Sequence, residues 1–241
     1  MLAGAAAIGV TLALSVLTAY RFLPGFDLLG RVRWRLAVAR DRRRCALTFD
    51  DGPSPGTAAV LDLLRDTGVP ATFFVLARNA ERYPHLVRRA AAEGHAIGVH
   101  GLTHRVLSGS SEGDAAAEIG AAVDALATLG VPLAALYRAP KGRMPPPVLR
   151  AARRLGLQPW AWTRGVWDTS RPPAATLVRR ATRWARDGMV LLLHDGLDDH
   201  AAPDVMPMLA ALPRIIATLR TCGFHFVRLD DATTDGTDQA S

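Results

Sequence analysis

Cysteine is scarce in this chain: its 241 residues carry only Cys45 and Cys222. Neither belongs to a C-x-x-C pair, which excludes a cysteine-based zinc site. A disulfide between them stays open for an extracellular domain, and two buried free thiols is the simpler reading. Glycine-rich phosphate loops of the G-x-G-x-x-G or P-loop kind are also missing, so nucleotide binding has no support. Outside the basic block at 21–44 no basic patch interleaved with aromatics and no known nucleic-acid motif occurs, which argues against a nucleic-acid partner. A hydrophobic fraction of 49% and a charged fraction of 21% leave little room for disorder. The expected exception is a polar tail over residues 231–241.

Charge is lacking altogether between Leu2 and Tyr20, a run rich in Ala, Leu and Val. Its length suits one bilayer crossing. A cleaved signal peptide would want a basic region before the run and small residues at its end. No basic residue precedes the run and Leu17-Thr18-Ala19 is a poor cleavage match, so residues 1–20 are read as a transmembrane anchor. Residues 21–44 follow as a basic juxtamembrane linker, with eight arginines against two aspartates between Arg21 and Arg44. That block supplies most of the net charge of +7. By the positive-inside rule it places the following domain on the cytoplasmic side of a bacterial cell membrane. The same stretch, with Val32, Trp34, Leu36 and Val38 between its arginines, reads equally as an amphipathic segment along the headgroups or as a solvated linker.

From residue 45 to 230 the pattern changes to short apolar runs alternating with amphipathic helical stretches. Strands are expected at 46–49, 71–76, 96–99, 135–138, 159–162, 189–193 and 224–229. Helices are expected near 57–67, 84–92, 113–129, 146–155, 174–185 and 205–221. Gly68, Gly94, Gly130, Gly156, Gly188 and Gly223 each stand where a helix should stop before a strand. The alternation predicts a single parallel α/β domain.

Reactive groups in such folds gather at the carboxyl ends of the strands. Here Asp50 and Asp51 close the first strand, His100 and His104 follow the third, and Arg138 ends the fourth. Asp168 lies beyond the fifth, and His194 ends the sixth. An open sheet would spread these positions along a line, whereas a closed barrel would bring them to one mouth. A barrel is therefore expected.

The spacing of His100 and His104 is expected to set two imidazoles on one side of a helical turn. With one carboxylate they suit zinc or a similar divalent ion with open positions. Of the adjacent Asp50 and Asp51, one is relieved of repulsion by the cation. The other is free to act as a base towards water. His194, at the end of an apolar run, is a candidate proton donor to a leaving amine. Arg138 is placed to pair with the base.

These motifs resemble the polysaccharide deacetylase family with the NodB homology domain, a group of carbohydrate esterases. Thr48-Phe49-Asp50-Asp51-Gly52-Pro53 is similar to its first motif and His100-Gly101-Leu102-Thr103-His104 to its second. The likeness runs from about Arg44 to Leu229. The resemblance implies a distorted seven-stranded β/α barrel, with Asp50 as catalytic base and Asp51, His100 and His104 as metal ligands. It implies a divalent ion, most readily zinc, with cobalt or nickel as substitutes. Arg138-Ala139-Pro140-Lys141-Gly142 resembles the third motif, in which the arginine contacts the base and the backbone N–H at Lys141 helps hold the oxyanion. Leu192-Leu193-His194-Asp195 looks like the fifth, with Leu192 lining the acetyl pocket and His194 as general acid. The fourth motif departs: Asp168 matches the aspartate that orients the histidine, but Gly165 and Thr169 replace an aspartate and a tryptophan. Pro145 replaces an asparagine common after the third.

The implied function is removal of N-acetyl groups from an N-acetylated sugar by a metal-activated water. The sugar is a polysaccharide, an oligosaccharide or a lipid-linked glycan. Two alternatives stand beside it: a deformylase or other N-deacylase on a lipid-linked sugar, and a non-catalytic carbohydrate-binding domain. The last would predict loss of an active-site residue, and none is lost.

Overall fold

In the computed structural model, residues 32–38, 42–198 and 204–231 are described. The expected anchor at 1–20, part of the linker at 21–44 and nearly all of the tail at 231–241 lie outside them. Among the described residues no helix is long and apolar enough to cross a membrane.

Eight strands form one sheet: β1 (Arg43–Asp50), β2 (Ala71–Leu76), β3 (Ala96–Gly101), β4 (Leu136–Tyr137), β5 (Gln158–Pro159), β6 (Arg164–Gly165), β7 (Met189–His194) and β8 (Phe224–Phe226). Their order is β5-β4-β3-β2-β1-β7-β6, with β8 added against the start of β1. Every pairing is parallel. The helices are α1 (Thr57–Thr67), α2 (Ala77–Arg82), α3 (Pro84–Ala92), α4 (Glu112–Ala127), α5 (Pro146–Arg154), α6 (Ala174–Thr182) and α7 (Met206–Thr221).

The central strands β2 and β3 are buried along their whole length. This is why they read as continuous apolar runs rather than as an alternating pattern. Helix α1 buries Val60, Leu61 and Leu64 and stops at Gly68, whose φ of 61° only glycine adopts without strain. The five other stop glycines named from the sequence also have positive φ.

The closed barrel is corrected to a half-barrel. No ladder joins β5 to β6 among the described residues, so the curled sheet stays open there. The strands beside the gap have only two residues each, and Pro159 in β5 has no N–H to donate. Two elements escaped the sequence pattern, β6 and the short helix α2.

Residues 32–38, expected in the linker, lie in that gap. The Arg33 N–H donates to the Pro159 carbonyl at 3.0 Å, and Ala161 donates back to the Arg33 carbonyl at 2.7 Å. Leu36 then donates to Gly188 at 2.9 Å, just before β7. Val32 and Leu36 are buried, and Leu36 packs in a cluster with Trp160 and Val190. The stretch therefore neither floats as a linker nor has both apolar residues free for headgroups.

The cysteines are both free, but only Cys45 is buried; Cys222 is exposed. Burial, with Asp187 nearby, pushes the Cys45 thiol up to about 12.

Candidate active site

At the carboxyl ends of β1, β3, β4 and β7 lies a cleft of about 370 Å³. Asp50, Asp51, His100, His104, Lys141, Leu192 and His194 all line it. Parallel register explains the convergence, since Asp50 pairs with His194 across β1 and β7. An open sheet suffices for this, because β1 is flanked by β2 and β7 and the curl brings in β3 and β4.

Asp51 sits just past β1 with φ 71°, followed by Gly52 and a cis peptide bond to Pro53. Its Oδ1 is 3.1 Å from His100 Nε2 and 3.2 Å from His104 Nε2. The helical turn expected for the two histidines is not there. His100 belongs to the strand, and the chain reverses at Gly101 (φ 108°) before His104 (φ 60°), which brings the ring centroids to 5.3 Å. Strand end plus left-handed turns achieve what the spacing suggested a helix would.

These residues fit a divalent ion. Their ligand atoms lie within 4.8 Å of one another, and Asp51 Oδ1 is buried without a hydrogen-bond partner among the described residues. His100 Nδ1 is 2.8 Å from the Arg138 carbonyl, so that nitrogen carries a proton and a neutral His100 has its lone pair on Nε2, on the Asp51 side. Burial disfavours the charge on Asp51, yet when the imidazoles are protonated, His100 foremost with His194 and His104, they hold its carboxyl well below the usual range. Three electron-rich atoms converging on a dry point are a cation site.

Asp50 is buried beside the triad, and Arg138 Nη1 donates to its Oδ1 at 2.7 Å. Arg138 is itself wholly buried. It also donates to Thr48 Oγ1 at 2.7 Å and to the Ala161 carbonyl at 2.8 Å, with its guanidinium 4.1 Å from the Phe74 ring centroid. The carboxylate is thus fixed in orientation and its charge matched locally.

On the opposite wall Asp168 grips His194 twice, accepting from its backbone N–H at 2.8 Å and facing Nδ1 at 2.9 Å. This leaves Nε2 as the nitrogen available to the cleft. Burial pulls the imidazole down, but Asp168, aided by Asp51 and Asp50, more than reverses it, raising the pKa to about 9. Leu192 is nearly buried in the cleft wall, and Lys141 lines it from a short 3-10 turn with φ 55°.

Asp198 and Asn79 escaped the sequence reading, and Asp195 stood in it only as the residue after His194 at the strand end. Asp198 contacts His104 Nδ1 through its carboxylate, and its N–H donates to Asp51 Oδ2 at 3.1 Å. Asn79 donates to the carbonyls of Asp51 and Asp198 at 2.8 and 3.1 Å. Asp195 accepts from Thr57 Oγ1 at 2.6 Å, and burial raises its pKa to about 7. Its loop presses on the Asp51 loop so closely that a Cβ on Gly52 or Gly196 would lie within 2.5 Å of an atom of the other. Those glycines were the available signal; Asp198 had none.

An Asp–His–His cluster that could hold a metal ion, beside a buried carboxylate and a carboxylate-bound histidine on a parallel half-barrel, is the layout of a hydrolase site. Residues 37–160 match the polysaccharide deacetylase family. The chain is 33% identical over 207 residues to a peptidoglycan-N-acetylglucosamine deacetylase of Bacillus cereus, covering 84% of this chain and 92% of that protein. It is 38% identical over 186 residues to a chitooligosaccharide deacetylase of Sinorhizobium fredii, covering 74% and 86%. The crystal structure of the Bc1960 peptidoglycan N-acetylglucosamine deacetylase superposes with a TM-score of 0.76 at 29% identity, covering 84% and 92%. The chain belongs to the polysaccharide deacetylase family, whose members hydrolyse the N-acetyl amide bonds of sugars.

Asp168→Asn tests the right-hand wall of the site. Without the carboxylate the His194 pKa falls, so the alkaline limb of the kcat/KM profile should move to lower pH. The rate should drop by about a hundredfold. An unchanged pH profile would mean that His194 is not the titrating acid.

Proposed function

We propose that this chain is a membrane-tethered N-deacetylase in which Asp50 is the general base and His194 the general acid. The observation that carries the reading is the pairing of Asp50 with His194 across adjacent strands, in the cleft that Asp51, His100 and His104 also line. Asp51, His100 and His104 would hold a divalent ion, most readily zinc by its ligand preferences and replaceable by cobalt or nickel, which would supply Lewis acidity for amide hydrolysis. Asp50 takes a proton from the attacking water while Arg138 keeps the carboxylate aimed. The backbone N–H of Lys141 stabilises the charge that develops on the carbonyl oxygen. His194, held by Asp168, gives its proton to the nitrogen as the C–N bond breaks, and acetate and a free amino sugar depart. Leu192 receives the acetyl methyl.

The relatives' names point to N-acetylglucosamine in peptidoglycan or in chitooligosaccharides as the sugar class. Gly165 and Thr169 line the cleft where the resemblance implies an aspartate and a tryptophan, so its walls differ from the family pattern, with the Trp162 indole lying against Gly165. Together with the apolar run at 2–20 and the arginines behind it, this favours a lipid-linked or glycolipid sugar, met at a bacterial membrane from the cytoplasmic side.

The test uses the full chain in detergent. Acetate release from N-acetylglucosamine oligomers should appear with zinc or cobalt, vanish with a chelator and return on adding metal. A protein that binds no metal and releases no acetate would sink the reading.

A further inference from the structure

Two hollows lie outside the cleft, the first sharing residues with it and the second sharing residues with the first. One, of about 300 Å³, is lined by Arg164, Arg179, Arg180, Arg183 and Trp184, and shares Gly165 and Trp167 with the catalytic cleft. The next, of about 550 Å³, shares Arg164 and Trp184 with the first and adds Trp34, Arg35, Arg186 and Asp187. The three make one continuous face from the catalytic mouth to the segment at 32–38.

Its composition is unusual in two respects. Asp187 is the one acidic residue lining the two outer hollows, and that carboxylate already accepts from the Arg44 N–H at 2.7 Å. Among the described residues no carboxylate forms an ion pair with Arg164, Arg179, Arg183 or Arg186. Arg89, by contrast, is paired with Asp62 and Glu93. Arg35 and Arg180 reach only backbone carbonyls and Arg183 stacks on Trp184, so the face keeps its positive charge, and like charges gathered without carboxylates suit an external anionic surface. The second feature is tryptophan: Trp34, Trp167 and Trp184 are 49%, 71% and 66% exposed. Indoles with one wet edge are at home among lipid headgroups.

Chain geometry selects the occupant. Trp34 and Arg35 belong to the segment through which the chain enters the domain, so the N-terminal apolar run leads directly to this face. The eleven residues between Tyr20 and Val32 span at most about 40 Å when extended. A face held that close to a bilayer meets it at high effective concentration.

We propose that this arginine- and tryptophan-lined face docks the domain on the surface of a bilayer containing anionic phospholipids, its arginines on phosphates and Trp34 and Trp184 among the headgroups. The catalytic mouth, which shares Trp167 and Gly165 with the face, then stands beside the membrane. The inference rests on the membrane-tethered reading above and specifies what the tether alone does not, an orientation.

The experiment reconstitutes the full chain in vesicles of phosphatidylcholine, with and without phosphatidylglycerol, and reads quenching of tryptophan fluorescence by brominated lipids. Quenching should be stronger with the anionic lipid and fall at high salt. Each arginine near such a surface changes the docked-to-free ratio about fivefold, so Arg183→Glu with Arg186→Glu should lower it about 25-fold or more. Trp184→Phe should remove part of the quenched signal. Quenching that ignores lipid charge, or ignores the double charge reversal, overturns the proposal. So does capture of a soluble anionic polysaccharide by this face with no response to bilayers. Acetate release from soluble oligomers checks that the variants fold and should not change. Its absence in the unaltered chain would sink the deacetylase reading while leaving the quenching result to stand or fall separately.

Discussion

Asp50→Asn should lower acetate release by a factor of about a thousand or more while leaving metal affinity within a few-fold of the unaltered protein. The substitution changes one oxygen of a buried carboxylate to an amide nitrogen and removes the capacity to accept a proton. Asp51, His100 and His104 keep their positions, because none of them depends on Asp50 for a hydrogen bond: Asp51 is anchored through Asn79 and Asp198, and His100 through the Arg138 carbonyl. Activity and metal binding are therefore expected to separate. Competition with a chromogenic chelator gives the affinity, and acetate release at saturating metal gives kcat. Activity within tenfold of the unaltered enzyme would show that the proton leaves by another route, and a matching loss of metal would recast Asp50 as a ligand.

The largest effect on stability is expected at Arg138. Its guanidinium lies wholly inside the half-barrel, bridging Asp50, Thr48 and the Ala161 carbonyl. Burial alone lowers its pKa, and Asp50 works against that fall. Arg138→Leu fills similar space but leaves Asp50 buried with its charge unmatched and the Ala161 carbonyl unpaired. Breaking a buried pair in this way costs about 3–5 kcal/mol. For a domain of this size that corresponds to a fall in Tm of roughly 10 °C or more. Arg138→Lys should do little better, since a single ammonium cannot reach three acceptors held in a planar fork. The double substitution Asp50→Asn with Arg138→Leu discriminates: removing the stranded charge should restore part of the lost stability. Equal unfolding midpoints for the single and double variants would mean that the guanidinium's packing against Phe74, not its charge, is what matters.

The polar residues of the site were legible because parallel sheets put the strand ends in one place, and each of those residues follows an apolar run long enough to be seen. Asp50, His100 and His194 needed no more than that rule. The manner in which His104 reaches His100 was not legible, since a four-residue spacing serves a helix and a strand with two left-handed turns equally well. Asp198 lies far from Asp51 and His104 in sequence, in a stretch with no periodicity, and only the folded chain brings them together. The openness of the sheet was hidden for a similar reason. Strands of two residues, such as β5 and β6, carry no alternation, and their pairing depends on tertiary context rather than propensity.

The segment at 32–38 was not legible as part of the sheet. The apolar residues among its arginines suit a headgroup segment and a solvated linker equally well, and which of them turn inward depends on the gap that the chain fills. Val32 and Leu36 face the core, while Trp34 and Val38 remain outside.

That strap sets a limit on how the protein can be shortened. Trimming the first forty or so residues looks harmless when the aim is a soluble catalytic fragment. The cut would also strip the backbone that covers the rims of β5 and β7, and uncovered rims recruit strands from neighbouring copies. Aggregation of such a fragment would then say nothing about membrane attachment. It would report a missing piece of sheet, and a boundary upstream of Val32 keeps that piece in place.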